Sequence, residues 1–315
     1  MPELTVGVDL GGTNIKVGLV TDRGEIVHRH RVTTESQRGP EAVAERICGA
    51  CRDLLAAAGS AADSVRGVGV GSPGTIDIAN GVVLFSPNLV GWHDIPLRGL
   101  IEDGLGMRCV IDNDANVAAL AEQWVGVGQG AGSLVLLTLG TGIGGGIVLD
   151  GRIWHGGRGV AGEVGHMSIH PDGPVCGCGN RGCLEAYASA TAMVRRMRET
   201  IAAGTPTVLA EHADELTAAR IHAAAVAGDQ AARENIEQTG RYLGLGVSNL
   251  MHILNPEAVA FSGGVTAAGE MLLDPVRREV RWRTLEASRR DVRISLSALP
   301  EDAGLIGAAR CFMLA

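Results

Sequence analysis

Four side chains with thiolate and imidazole chemistry fall within residues 166–183: His166, Cys176, Cys178 and Cys183. Zinc favours four nitrogen or sulfur ligands in a closed tetrahedron, and cysteines spaced Cys-x-Cys-x4-Cys, interleaved with Gly177, Gly179 and Gly182, can wrap one ion. Clustered thiols beside a histidine, in a chain that opens without a secretion signal, read as a metal site rather than unrelated reduced cysteines. Four protein ligands leave no open position, so the expected ion is structural. Glu163 and Glu185 flank the cluster, and fixing this loop would fix where both carboxylates point.

A second chemistry lies in the glycine turns. Asp9 sits in an otherwise apolar strand, Leu4–Leu10, just before Gly11-Gly12-Thr13-Asn14, whose amides and hydroxyl can meet phosphate oxygens beside a metal. No Walker motif occurs, and an ordinary hairpin is the alternative reading of the turn. Lys16, two residues past Asn14, reads as a solvated surface lysine. The same strand, Gly/Thr turn and strand recur at Ser133–Leu139, Gly140–Gly146 with Thr141 and Gly142, and Ile147–Leu149. Such a repeat implies two similar sheets facing each other, each giving one phosphate loop to a shared cleft. Two loops of one pattern weigh more than either alone.

Asp112-Asn113-Asp114-Ala115-Asn116 ends a strand begun at Arg108 and opens a helix through Val125. Open α/β sheets place ligands at such carboxyl ends, although Asp and Asn are also ordinary helix caps; Asn113 and Asp114 are the functional candidates. Gly74 lies in a turn after strand Val65–Gly71, and Asn88 in a loop where Trp92 is as readily packing. Gly263-Gly264 follows strand Ala258–Phe261, where a flat base or ribose could lie against the backbone, or where the chain simply turns tightly.

The elements that must position these residues alternate strand and helix. Pro40–Ala58 has helical spacing between two strands, and shorter helices are expected at Pro96–Gly106, Ser189–Ala203, Val208–Ala213 and Ala218–Ala227. Gln230–Leu254 reads as one long helix, Arg293–Ser297 as a last strand, and Gly304–Met313 as a helix packing back on the first domain. At 315 residues two compact domains are expected. A net charge of -8 argues against a duplex nucleic-acid binder. No eighteen-residue apolar run or leader pattern occurs, so a cytosolic location away from membranes is expected. Cys48 and Cys51, inside the first helix, read as core or surface thiols rather than a redox pair.

With these residues in view the chain resembles the ROK family of sugar kinases and repressors, within the actin, Hsp70 and hexokinase superfamily. Asp9–Thr13, Asp114, Leu139–Gly146, Gly162–His166, the cysteine cluster and Phe261–Val265 occur in the family's order, over essentially the full length. The fold expected is α/β, a two-domain actin/hexokinase-like (ribonuclease H-like) ATPase fold with an interdomain cleft. Its small domain would be residues 1–112 plus 301–315, and its large domain, with the zinc knot, residues 113–300. The resemblance implies ATP-dependent phosphorylation of a hexose, first of all glucose to glucose 6-phosphate, with Asp114 as general base. Gly74, Asn88, Asn113, Glu163, His166 and Glu185 would bind the sugar, His166 also holding zinc. Asp9, Gly11, Gly12, Thr13, Asn14, Thr141, Gly142, Gly263 and Gly264 would serve the nucleotide. ATP, Mg2+ and a structural Zn2+ are the implied cofactors, a sugar and a nucleotide the partners, and a homodimer or homotetramer the assembly. The alternatives are another hexose or N-acetylhexosamine (fructose, mannose, N-acetylmannosamine) or polyphosphate as donor. A sugar-responsive repressor is the rival class, but the family's repressors carry a helix-turn-helix before the first phosphate motif, which here starts within ten residues of Met1. Asp112 stands where relatives often have Glu, and no role follows for it from the resemblance.

Overall fold

The computed structural model describes residues 3–315, which form two compact units. The first comprises the chain through Gly132, Gly146–Gly162 and Ala298–Ala315; the second comprises Ser133–Gly145 and Glu163–Ser297.

Through the first unit the chain runs β1 (Leu4–Leu10), β2 (Asn14–Thr21), β3 (Ile26–Thr33), α1 (Pro40–Ala58), β4 (Val65–Ser72), β5 (Thr75–Asp77), β6 (Val82–Phe85), β7 (His93–Ile95), α2 (Leu97–Leu105), β8 (Cys109–Asn113) and α3 (Asp114–Trp124). Then follow β9 (Leu134–Leu139), β10 (Ile143–Leu149), β11 (Arg152–Ile153), α4 (Glu185–Ala188), α5 (Ala190–Ala202), α6 (Ala218–Val226), α7 (Gln230–Leu254), β12 (Ala258–Ser262), α8 (Glu270–Arg283), α9 (Glu286–Arg289), β13 (Arg293–Leu296) and α10 (Ala303–Met313).

The main sheet of the first unit has the order β3-β2-β1-β4-β8, with β1, β4 and β8 parallel and the first three strands antiparallel. Burial follows position: β1, in the middle, is almost wholly buried, whereas β3, at the edge, alternates half-buried with exposed residues. Helix α1 starts with Pro40 in its first turn and Glu41 close behind, and turns Val43, Ile47, Cys51 and Leu54 inward. Strands β5, β6 and β7 make a separate small antiparallel sheet.

The second sheet, in order β11-β10-β9-β12-β13, repeats the first: a hairpin across a glycine turn, then parallel strands beside its first member. The internal repeat expected from the glycine turns is therefore present in the topology. In the second unit α7 is the long helix at the residues read from the sequence, capped by Asp229 Oδ1 on the N–H of Ala232.

Some features differ from expectation. Helix α8 had no counterpart in the sequence reading; its Pro275 sits inside the helix, where proline ordinarily signals a break. Residues 210–215 form a short 3-10 turn kinked at His212 in place of the helix expected over 208–213. The boundary expected after Asp112 does not coincide with the units, because α3 belongs to the first. Gly307 of α10 brings its backbone so close to α3 that a Cβ there would fall 1.7 Å from the Val117 carbonyl oxygen. Helix α10 also lies directly on the sheet: a Cβ at Gly7 would be 2.0 Å from the Leu305 carbonyl oxygen, and one at Gly69 1.8 Å from that of Ala308. Glu122, fully buried on α3, accepts from the N–H of Val127 (3.0 Å) and Leu299 (2.9 Å), tying the returning chain to this helix.

Candidate active site

In the first unit, register aligns Asp9 of β1 with Gly71 of β4 and Gly71 with Asp112 of β8, so one row of the sheet carries both acidic motifs at the carboxyl ends of parallel strands. That is where an open α/β sheet leaves backbone and side-chain polar groups free for ligands. The Gly11–Thr13 turn is braced by Thr34, whose hydroxyl donates to the Gly11 carbonyl (2.6 Å) and whose N–H donates to that of Thr13 (2.9 Å). Asn14 closes the turn by accepting from the Gly11 N–H at 2.9 Å, leaving Gly12 and Thr13 exposed at its tip. Asn88 lies against this tip: a Cβ at Gly12 would stand 3.0 Å from the Asn88 carbonyl oxygen.

Asn113 is fully employed as a cap. Its Oδ1 accepts from the N–H of Ala115 (2.9 Å) and Asn116 (3.3 Å), while its Nδ2 donates to the Gly74 carbonyl at 3.0 Å. Gly74 is required there, with φ of 109° and a position where a Cβ would lie 2.2 Å from the Phe85 carbonyl oxygen. Asn113 and Gly74 thus support the neighbouring Asp114. That residue keeps accessible surface, yet the protein around its carboxylate disfavours the charged form and, helped by the negative charge of Asp9, pushes its pKa up to about 6. A carboxylate tuned toward neutrality is a better proton acceptor than an ordinary one.

Lys16, read from the sequence as a solvated surface lysine, keeps some exposure but is also tied into the fold. Its Nζ lies 3.4 Å from Asp9 Oδ2 and donates to the Glu301 carbonyl at 3.1 Å. The hairpin register pairs Asp9 with Lys16, so counting around the glycine turn would have found the pair. A carboxylate already facing an ammonium is aimed where a cation sits, and Asp9 fits a divalent ion in that respect.

In the second unit, β9 and β12 are parallel neighbours whose carboxyl ends carry the other two glycine pairs, and a Cβ at Gly263 would lie 2.4 Å from the Leu139 carbonyl oxygen. The turn containing Thr141 and Gly142 is fastened to the cysteine stretch. Glu185 Oε2 accepts the Ile143 N–H at 2.9 Å, Thr191 donates its hydroxyl to the Thr141 carbonyl at 2.8 Å, and a Cβ at Gly142 would fall 2.3 Å from Glu185 Oε2. Beside it opens a cavity of about 320 Å3 whose lining includes Thr141, Glu185, Ser189, Thr191 and Arg195.

The four expected metal ligands converge, their donor atoms all within 4.8 Å of one another. Cys178 and Cys183 sulfurs are 3.7 Å apart, and Cys176 Sγ is 3.7 Å from His166 Nδ1. Tetrahedral zinc requires edges of about 3.8 Å between sulfurs and about 3.6 Å between sulfur and nitrogen. These two edges are of the length that zinc requires, and the thiol and imidazole donors are of the kind it favours. The other imidazole nitrogen, Nε2, stands 3.9 Å from Glu163 Oε2, and Glu163 is exposed. Glu185 reaches this centre too, its Oε1 accepting from Cys176 Sγ at 3.3 Å. Cys48 and Cys51 are buried core thiols, and burial pushes Cys51 up to about 12.

The model of the ROK family matches residues 5–313. The chain belongs to the ROK family. Among the relatives of this family member are a glucokinase of Thermotoga maritima, 40% identical over 98% of this chain and 97% of its own, and one of Halalkalibacterium halodurans, 39% identical over 96% and 92%. A solved ROK family glucokinase from Streptomyces griseus, in complex with glucose and AMPPNP, is 37% identical, covers 98% of both chains and superposes with a TM-score of 0.79. The ROK fold places this chain among the actin/hexokinase-like α/β proteins, as its repeated sheets require. Among the described residues no helix is long and apolar enough to cross a membrane.

Because the Ile143 N–H donates to the Glu185 carboxylate, Glu185→Ala should speed hydrogen exchange at that amide about tenfold or more, the loss of one charge-assisted bond. Unchanged protection at Ile143 in a folded variant would show that Glu185 does not hold the turn.

Proposed function

We propose that this chain is a glucokinase, transferring the γ-phosphoryl group of ATP to the 6-hydroxyl of glucose. The observation that carries the reading is Asp114: a carboxylate tuned to about 6, at the carboxyl end of a sheet whose β1 ends in a braced glycine turn with Asp9. Phosphoryl transfer passes through a loose transition state and asks chiefly for alignment and charge neutralisation. Asp114 accepts the hydroxyl proton late, as the oxygen acidifies during bond formation to phosphorus. The Gly11–Thr13 and Gly140–Gly142 turns supply amides for phosphate oxygens, and Gly263-Gly264 the backbone against which the nucleoside lies. Glu163, His166 and Glu185 hold sugar hydroxyls, with Asn88 a further polar contact. Asp9 would hold Mg2+, which neutralises phosphate charge when bound.

His166, Cys176, Cys178 and Cys183 would hold a structural Zn2+, setting the direction of the His166 ring and of Glu163 beside it. These thiols fit a reducing cytoplasm. The self-association expected of this family as a dimer or tetramer belongs to the same reading. ADP release measured over glucose, mannose, fructose, N-acetylglucosamine and N-acetylmannosamine, with ATP or polyphosphate as donor, tests it. Highest kcat/KM for glucose with MgATP is expected, and inactivity on every sugar would refute it.

For the base, Asp114→Asn should lower kcat by about 10²- to 10⁴-fold while calorimetric glucose affinity changes far less. Wild-type kcat should fall as pH drops through about 6, because protonated Asp114 has no place for another proton. Glu163→Ala should show the reverse pattern, weakening glucose more than turnover. An Asp114→Asn enzyme with near-normal kcat would remove Asp114 from this role. For the metal, elemental analysis of chelator-free protein should find about one zinc per chain, lost with thermal stability in Cys178→Ala. Zinc-free protein of full stability would contradict the assignment.

A further inference from the structure

Asp112 and His155 form an ion pair that the roles above leave unused. Asp112 is fully buried near the end of β8, and its Oδ2 lies 2.6 Å from His155 Nε2 and accepts from Cys311 Sγ at 3.7 Å. Its Oδ1 accepts from the Asn113 N–H at 2.7 Å and from Asn116 Nδ2 at 2.9 Å. Those two donors stand on either side of Asp114, one in the strand and one in the first turn of α3. Oδ2 faces His155 while Oδ1 makes both of these grips, so the bond to His155 fixes the carboxyl plane from which Oδ1 reaches Asn113 and Asn116. The grip on both flanks of Asp114 therefore depends on how firmly His155 holds Oδ2, and a charge-assisted bond holds it more firmly than a neutral one.

A cavity of about 230 Å3 reaches the pair, with Ile78, Val110 and Leu120 among its apolar walls, and leaves the His155 side chain 32% exposed, able to exchange protons with water. The groups that face His155 here are Asp112 from β8, Arg152 from β11, and Cys311 and the terminal residue Ala315 from α10 and its end.

We propose that His155 is a positioning residue for phosphoryl transfer: its imidazolium orients the Asp112 carboxyl group through Oδ2, and Asp112 Oδ1 fixes Asn113 and Asn116 on both sides of Asp114. The proposal rests on the glucokinase reading. The hydrogen bond to Asp112 raises His155 above its ordinary value, against the desolvation that lowers it. The sign follows. Below the raised value the imidazolium is present and its charge-assisted bond makes the clamp firm; as pH rises through it the neutral ring keeps only an ordinary hydrogen bond and the carboxyl group is held less firmly. Turnover should decline there, while glucose binding should not.

The test is kcat and KM for glucose from pH 6 to 9.5 in wild type, His155→Gln and His155→Ala, with folding at each pH followed by circular dichroism. Wild type should show an alkaline fall in kcat. His155→Gln, which can donate but never carries charge, should lose that limb and turn over about threefold to tenfold more slowly at pH 7, with KM within about twofold. A wild-type kcat flat to pH 9.5 would overturn the proposal without any variant, as would a His155→Gln enzyme retaining wild-type kcat and limb, or a loss expressed in KM alone. Wild type inactive on glucose with MgATP would overturn the glucokinase reading and this proposal together; an active wild type whose profile ignores His155 overturns the proposal alone.

Discussion

Backbone-to-backbone packing of α10 on β1, β4 and α3 is the constraint on which the first unit depends. At Gly7, Gly69 and Gly307 there is no room for a single added carbon, so the helix and sheet meet at a distance only glycine permits. This approach sets the height of α3 over the strands. It thereby fixes where β8 ends and where Asp114 begins the helix. Gly304 belongs to the same arrangement, since a Cβ there would fall 2.6 Å from the Asp9 carboxyl carbon. The last helix of the chain thus supports both acidic motifs of a unit whose first strand lies almost three hundred residues earlier.

The second unit solves the analogous problem with a side chain. Glu185 joins the cysteine stretch to the Gly140–Gly142 turn, one oxygen accepting from Cys176 Sγ and the other from the Ile143 N–H. A structural ion here would hold Cys183 as a thiolate ligand, and Cys183 stands two residues before Glu185 opens α4, so the ion would place that helix and its carboxylate through the chain itself. The two glycine turns share a pattern but not a support: the first is laced by Thr34, the second by Glu185 and Thr191.

Much of this was legible in the sequence because it is local. Hydrophobic periodicity and caps delimit α1 and α7, and the glycine turns and cysteine spacing announce themselves within a few residues. What the sequence hid is long-range or contrary to local rule. Strands β5 to β7 are too short for a period to emerge, and Pro275 disguised α8. The Asp112–His155 pair joins residues 43 apart in sequence, and nothing local distinguishes His155 from a surface histidine. The pKa of Asp114 likewise depends on burial and on Asp9, both products of the fold. Unit boundaries were misplaced for the same reason, since α3 is held by α10 from the far end of the chain.

The account makes the 6-hydroxyl oxygen of the sugar the nucleophile toward the γ-phosphorus of ATP. Glucose carrying oxygen-18 in its 6-hydroxyl, turned over with unlabelled MgATP and analysed by mass spectrometry, tests this most directly. The predicted product is a phosphosugar that retains the label in full in the bridge between C6 and phosphorus, with ADP unlabelled and formed one for one. Loss of label from the sugar phosphate, or ADP released without phosphosugar, would contradict it.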